Sequence, residues 1–161
     1  MGFNGLIDVV KADDLASFST LPLYSPGAKH YQNGNEYVYV YAAGAVATGK
    51  YSVLEPSGTS LTSGYTVNVS NASLNGWLAG VAQSTIPAST YGWVMTKGVS
   101  LIAVDSGEVS AAPGVDLALG TNGGFVAAGA TFSTAPRFGV TINSFVTTVG
   151  TSKARIFNSI L

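Results

Sequence analysis

Residues 36–42, EYVYVYA, alternate without interruption between tyrosine and small aliphatic side chains. Successive side chains of a β-strand point to opposite faces, so the stretch predicts a strand with two distinct faces. Its aromatic face would carry Tyr37, Tyr39 and Tyr41, and its aliphatic face Val38, Val40 and Ala42. Because neither face is polar, we expect other parts of the protein to cover both.

Short segments with strand patterning recur along the rest of the chain, separated by turn residues. They are residues 50–56, 65–70, 77–83, 91–97, 99–105, 115–121, 124–129, 138–143, 145–150 and 154–158. Turn signals about 8–12 residues apart are typical of sandwiches and barrels. No helical pattern lies between the strands, so βαβ units are not expected. The sequence therefore predicts an all-β fold, with one compact β-barrel or sandwich domain over residues 36–161.

The first 35 residues have a different character and are predicted to form an extended N-terminal arm. The arm contains at most one short helix, over Asp8–Phe18, and Pro22 and Pro26 favour extended backbone after it. An extended apolar segment needs a surface to lie on, which is its own domain, a sister subunit or another protein. The residues expected to make such contacts are Phe3, Leu6, Phe18, Leu21, Leu23, Tyr24 and Tyr31.

The alternation within the strands also predicts the buried core. Its expected members are Val38, Val40, Trp77, Val81, Trp93, Met95, Ile102 and Ile156. In YGWVMTKG, residues 91–98, Trp93 and Met95 should share one face of a strand, with Val94 and Thr96 on the other. Gly98 is expected to end this strand, and Lys97 to reach solvent or a carboxylate on a partner.

The composition excludes several classes of function. Charged residues make up 9% of the 161 residues, whereas an ordinary soluble domain has about 25%. Low charge weakens repulsion between molecules and favours association. With a net charge of −1 there is no basic field for nucleic acid, and no apolar run is long enough for a membrane helix. The N-terminus lacks the pattern of a signal peptide.

Candidate catalytic motifs each have a simpler interpretation. GAVATGKY, residues 44–51, is close to a phosphate-binding loop, but Tyr51 replaces the required hydroxyl and no helix pattern follows. DSG, residues 105–107, resembles the catalytic motif of aspartic proteases, which need two carboxylates that share one proton. The simpler interpretation is a β-turn. His30 is the only histidine, and the chain has no cysteine. We therefore expect no enzymatic activity, no cofactor and no metal site. We expect the aromatic residues to be buried in the core and in interfaces. The alternative is an exposed platform on which sugars stack, formed by Tyr37, Tyr39, Tyr41, Trp77, Tyr91 and Trp93.

One region of the chain is similar to a known family. GWLAGVAQSTIPASTYGWVMTKG, residues 76–98, resembles the head decoration, or cement, proteins of tailed bacteriophages. Three further stretches fit the resemblance: GNEYVYV at 34–40, DLALGTNGG at 116–124 and KARIFN at 153–158. Together they extend the resemblance over roughly residues 34–158, and none of these motifs is catalytic.

The resemblance implies a structural virion protein, made in the host cytoplasm, that binds the outer surface of the phage head and clamps neighbouring capsomers. Its implied partner is the major capsid protein, and its implied assembly is a homotrimer. The alternative is a tail component, either a tube subunit or the receptor-binding tip of a fibre. An enzyme of unfamiliar type is a third hypothesis, although no catalytic constellation supports it.

Overall fold

A computed structural model describes residues 15–54, 65–69, 78–104, 110–120, 124–127, 138–142, 145–146 and 151–156. These residues confirm the prediction of an all-β protein. Their strands are β1 (Phe18–Ser19), β2 (Lys29–Gln32), β3 (Asn35–Ala42), β4 (Tyr51–Leu54), β5 (Thr66–Val69), β6 (Leu78–Ala82), β7 (Thr90–Ala103), β8 (Ser110–Ala111), β9 (Asp116–Leu119), β10 (Phe125–Ala127), β11 (Gly139–Thr141), β12 (Phe145–Val146) and β13 (Thr151–Ile156).

Ten of these strands follow one another in a single sheet, in the order β10-β9-β11-β13-β7-β6-β4-β5-β3-β2, and β1 joins it beside β7. The sheet is open as a whole, with β10 and β2 at its ends. Strand β7 also pairs with β3. The five strands β7, β6, β4, β5 and β3 therefore form a closed circuit of pairings within the sheet. All these pairings are antiparallel except β3 with β5.

Two apolar clusters hold the sheet together. The first lies inside the circuit of five strands and consists of Val38, Val40, Ala42, Val46, Val67, Ala79, Ala82, Ile86 and Val94. The second joins the outer strands to β4 and β6, through Tyr51, Leu78, Val81, Ile102, Val104, Leu117, Phe125, Phe138, Ala154 and Ile156. Burial of this apolar area is the main stabilising contribution to the fold.

The residues predicted from the sequence as core, apart from Trp77, lie within these clusters and the aromatic one described below. Those that are 2% exposed or less are Val38, Val40, Val81, Trp93, Met95, Ile102 and Ile156. Trp77 lies outside the described residues. As the alternation indicates, Trp93 and Met95 belong to one cluster and Val94 to another, and Lys97 is exposed.

The prediction that Gly98 ends a strand is wrong. Strand β7 is one element of 14 residues, and Gly98 lies in its interior, opposite Ile156 of β13. Gly98 has φ +125°, a conformation that side chains with Cβ rarely adopt. Glycine therefore permits this backbone conformation inside a continuous strand. At this point the pairing partner of β7 changes from β3, whose pairing ends at Lys97, to β13, whose pairing begins at Gly98.

Residues 15–35 pack on the chain's own sheet. A 3₁₀ turn covers Leu15 and Ala16, and β1 then pairs with β7 through Phe18 opposite Gly92. The predicted helix over Asp8–Phe18 is therefore wrong at its C-terminal end, and residues 8–14 lie outside the described residues. Strand β2 forms a hairpin with β3. This hairpin crosses the predicted boundary between arm and β-domain at residue 35.

Candidate functional site

An aromatic cluster forms where β3 and β7 pair in the register Tyr39 opposite Trp93. These two rings have centroids 5.0 Å apart with planes at 55°, and Tyr91 stacks on Tyr39 at 6.0 Å and 14°. Tyr37 and Met95 complete this face of the two strands. The cluster follows directly from the alternation of residues in β3 and β7, since every second side chain of each strand points to this side of the sheet.

The N-terminal segment covers this cluster. Tyr24 packs against Tyr39 and Trp93, with both ring centroids 5.3 Å away, and Leu15 is 93% buried in the same cluster. The backbone is also bonded to β3: Gly27 N–H donates to the Tyr39 carbonyl at 2.7 Å, and Tyr39 N–H donates to the Ala28 carbonyl at 2.9 Å. Apolar packing and backbone hydrogen bonds together fix residues 15–28 on the sheet.

Three large apolar side chains of this anchored segment point to solvent. Phe18 is 53% exposed, Leu21 71% and Leu23 58%. We call these three residues the apolar ridge. Its backbone is held by β1, by a 3.2 Å hydrogen bond from Leu21 N–H to Ser19 Oγ, and by a 3.3 Å bond from Leu23 N–H to Tyr39 Oη. The ridge thus presents apolar surface on an ordered backbone, as an interaction site does.

The other residues expected to make partner contacts are distributed differently. Tyr31 is 66% exposed, on the outer side of β2 near the hairpin turn, whereas Tyr24 is half-buried in the aromatic cluster. Phe3 and Leu6 lie outside the described residues. The structure therefore brings Phe18, Leu21 and Leu23 together in one short segment and leaves Tyr31 on a separate strand.

Charge is sparse around this surface. Lys29 Nζ donates to Glu36 Oε1 at 3.0 Å, across the β2–β3 hairpin. This hydrogen bond raises the pKa of Lys29. Partial desolvation pushes the pKa of Glu36 upward, but the hydrogen bond and charge of Lys29, with hydrogen bonds from Thr96 and Tyr31, outweigh it and leave that pKa below its ordinary value.

The pKa of Tyr39 is shifted by the same packing that builds the cluster. Desolvation raises the pKa of its phenol, the hydrogen bond from Leu23 N–H opposes the rise, and Tyr91 adds to it. The phenol therefore stays protonated at neutral pH and serves as an acceptor for the ridge backbone.

The concave surface of the described residues includes a hollow of about 310 Å³ at the β2–β3 hairpin, lined by Tyr31, Gln32, Asn33, Gly34, Asn35, Glu36 and Lys97. The cleft between β1 and the aromatic cluster has a cavity volume of about 10 Å³, the space of one water molecule. Trp93 and Tyr39 are each 2% exposed, so their faces are closed to a stacking sugar. His30 packs near Tyr37 and Trp93, with centroids 6.4 and 6.1 Å away. No group of three metal-ligating side chains occurs in the described part of the chain.

Sequence reasoning missed two elements that build this surface, β1 and β2. The signal for β2 was present: Asn33 and Gly34 separate β2 from β3 by two residues, and Asn-Gly is the strongest short hairpin signal. Both residues have positive φ, 52° and 77°, as a type I′ turn requires. Strand β1 is only two residues long and carries no comparable signal.

No family model matches this chain, and no curated protein is significantly similar to it. A search of solved structures found a similar fold in the crystal structure of the N base of head fiber gp8.5 in bacteriophage phi29. That structure matches with a TM-score of 0.54 and 14% sequence identity, over 78% of this chain and 96% of the other. At this identity the similarity shows the fold alone. Among the described residues, no helix is long and apolar enough to span a membrane.

Proposed function

We propose that this protein is a structural component of a tailed-bacteriophage virion that binds the outer surface of the head. The observation that carries the proposal is the apolar ridge: Phe18, Leu21 and Leu23 are more than half exposed on a backbone that the sheet holds in place. The fold similarity to a phage head fiber base supports a place on the head rather than elsewhere in the particle.

The ridge suits docking onto another protein surface. Burying a Leu or Phe side chain contributes about 1.5–3 kcal/mol relative to leaving it exposed. Because the ridge is ordered before binding, less conformational entropy is lost when a partner covers it. The proposed partner is the major capsid protein, whose neighbouring subunits the bound protein would cement.

A homotrimer would strengthen weak individual contacts. Three linked ridges convert later contacts into intramolecular ones, so the whole assembly binds far more tightly than one copy. A closed cyclic trimer matches the three-fold positions of an icosahedral head. In this proposal the protein acts by binding alone, without catalysis, cofactor or metal.

The copy number in purified virions tests the place of the protein in the particle. Quantitative mass spectrometry against the major capsid protein should give a simple head-symmetry ratio. A low multiple of three or six per particle would instead indicate a tail component, and absence from the particle would reject the proposal.

Substitutions in the ridge test the binding surface itself. The double variant Leu21→Ser with Leu23→Ser should fold normally, since both side chains are mainly exposed, but should lose occupancy on heads lacking the native protein. Tyr31→Ser is the matched control, because Tyr31 is 66% exposed on β2, outside the ridge. Equal occupancy for the double variant and the control would show that the ridge is not the capsid contact.

A further inference from the structure

A second exposed surface has a chemistry that the proposed function does not use. Strands β7 and β13 pair antiparallel with Leu101 opposite Lys153 and Val99 opposite Arg155, and directly paired residues point to the same side. The neighbouring residues Ser100, Ile102, Ala154 and Ile156 face the core. We call the outward-facing set the basic–apolar strip: Val99, Leu101, Ile142, Lys153 and Arg155.

The strip combines apolar area with positive charge. Val99, Leu101 and Ile142 are 38%, 49% and 39% exposed. Ile142 lies beside β13, because its N–H donates to the Lys153 carbonyl at 2.9 Å. Lys153 and Arg155 are both exposed, and they are two of only seven Lys and Arg in the chain. By register, Asp116 of β9 falls on the same face of the sheet, across Val140 from Arg155, so the positive charge is least offset at Lys153. An occupant that is apolar and acidic would match this surface.

Residues 1–14 have that chemistry. Their sequence, MGFNGLIDVVKADD, carries six large apolar side chains, three aspartates and one lysine. These three aspartates, Asp8, Asp13 and Asp14, are among only eight acidic residues in the whole chain. In a protein with so few charges, the pairing of an acidic segment with a basic surface is a specific form of complementarity.

The start of the described chain also lies within reach of the strip. Leu15 is buried in the same cluster as Met95 of β7. Strand β1 runs antiparallel to β7, with Phe18 opposite Gly92 and Ser19 opposite Tyr91, so the chain before Phe18 heads toward the higher-numbered residues of β7. From Met95 to Leu101 is about 20 Å of strand, whereas 14 extended residues span up to about 46 Å.

We propose that residues 1–14 dock on the basic–apolar strip of their own chain. The segment would place its apolar side chains on Val99, Leu101 and Ile142, and its aspartates beside Lys153 and Arg155. This docking assigns Phe3 and Leu6 to the chain's own surface rather than to a partner. It would also keep an exposed sheet face from associating with other copies, and it does not depend on the function proposed above.

Paramagnetic relaxation in the full chain tests this proposal. The protein has no cysteine, so Asn4→Cys gives one site for a nitroxide label. We expect strong broadening of the Val99 and Leu101 amide signals. The Ser89 amide, which lies just before the opposite end of β7, should remain sharp and serves as the internal control. Equal broadening at Ser89 and Leu101 would overturn the proposal.

An experiment on a mixture of two differently labelled samples distinguishes docking within one chain from docking on a second copy. Nitroxide-labelled protein without ¹⁵N is combined with ¹⁵N protein without the label, and broadening at Leu101 should then disappear. Persistent broadening would show that the segment docks on a second copy, which contradicts the proposal.

Charge reversal tests the acidic contact. Lys153→Glu with Arg155→Glu should remove the broadening at Leu101 in the labelled protein. Adding Asp8→Lys, Asp13→Lys and Asp14→Lys to that variant should restore it, because the complementarity is rebuilt with opposite signs. If the reversed strip keeps its broadening, or the full exchange fails to recover it, the charge complementarity is wrong.

Discussion

Tyr24 stands edge-on to Tyr39, with ring centroids 5.3 Å apart and planes at 83°. This contact joins the N-terminal segment to strand β3. The same Tyr24 ring also packs against Trp93 of β7, with ring centroids 5.3 Å apart. An aromatic pair contributes about 0.5–1.5 kcal/mol beyond its buried area. Tyr24 therefore adds side-chain packing to the strand pairing and hydrogen bonds that hold the apolar ridge on the sheet.

Tyr24→Ala should loosen the ridge before it affects the fold. We expect hydrogen exchange at Leu21 and Leu23 to become faster, because the segment loses its aromatic contact, while the amides of β3 stay protected. The measurement is native-state hydrogen exchange by mass spectrometry or NMR. Tyr31→Ala is the control, since Tyr31 is 66% exposed on β2. Unchanged protection of the ridge in Tyr24→Ala would show that the backbone bonds alone hold it.

Trp93→Ala should destabilise the whole protein. Trp93 is 2% exposed and contacts the rings of Tyr24, Tyr39 and His30, so its removal leaves a cavity in the aromatic cluster. The expected loss is about 3–5 kcal/mol in the free energy of unfolding by urea or guanidinium. Leu21→Ala, at a 71% exposed position, should change it by no more than about 0.5 kcal/mol. A loss below about 1 kcal/mol for Trp93→Ala would contradict this role.

The sequence predicted the centre of the fold well because its pattern there is strong. Strict alternation in residues 36–42 gives a strand with two covered faces, and the structure separates Val38 and Val40 from Tyr37 and Tyr39 into different clusters. Local pattern decides which way a side chain points in a strand. It does not decide which strands become neighbours, so the parallel pairing of β3 with β5 could not be predicted.

The candidate site was harder to predict for a physical reason. The sequence identified Phe18, Leu21 and Leu23 as apolar residues in need of a surface, but not that their backbone is held by the sheet while their side chains stay exposed. That outcome depends on long-range contacts, such as Leu23 N–H to Tyr39 Oη, between residues 16 positions apart. Such contacts leave no periodic signal in the sequence.

Gly98→Ala should cost more stability than Gly34→Ala. Both glycines have positive φ, but the space around Gly34 is open, whereas a Cβ at position 98 would overlap Asn35 Oδ1. That oxygen accepts a 3.0 Å hydrogen bond from Val99 N–H. We expect about 1–2 kcal/mol for Gly34→Ala from backbone strain alone, and about 1 kcal/mol more for Gly98→Ala from the displaced hydrogen bond.

Urea denaturation of the two glycine variants measures this difference, and the wild-type protein sets the reference. Asn35→Ala should cost less in the Gly98→Ala background than in the wild-type protein, because the hydrogen bond from Val99 N–H to Asn35 Oδ1 is already displaced there. Equal costs for Gly98→Ala and Gly34→Ala would mean that Asn35 moves aside without loss.

The Lys29–Glu36 pair should make a small contribution that depends on pH. The pKa of Glu36 lies below its ordinary 4.5, so the stabilisation is complete above that value and is lost as pH falls through the folded pKa. The pKa of Lys29 lies above its ordinary 10.5, so the stabilisation is also lost as pH rises through that folded pKa. Because Lys29 is 48% exposed, we expect less than about 1 kcal/mol at neutral pH.

A double-mutant cycle isolates this contribution. Lys29→Gln, Glu36→Gln and the combined variant are compared by urea denaturation at neutral pH and below the folded pKa of Glu36. The coupling between the two positions should be present at neutral pH and absent in acid, where Glu36 is protonated and no longer attracts the ammonium. It should also shrink in about 1 M salt, which screens partly exposed charges. A coupling that persists unchanged in acid would show that the pair acts through packing of the side chains rather than through their charges.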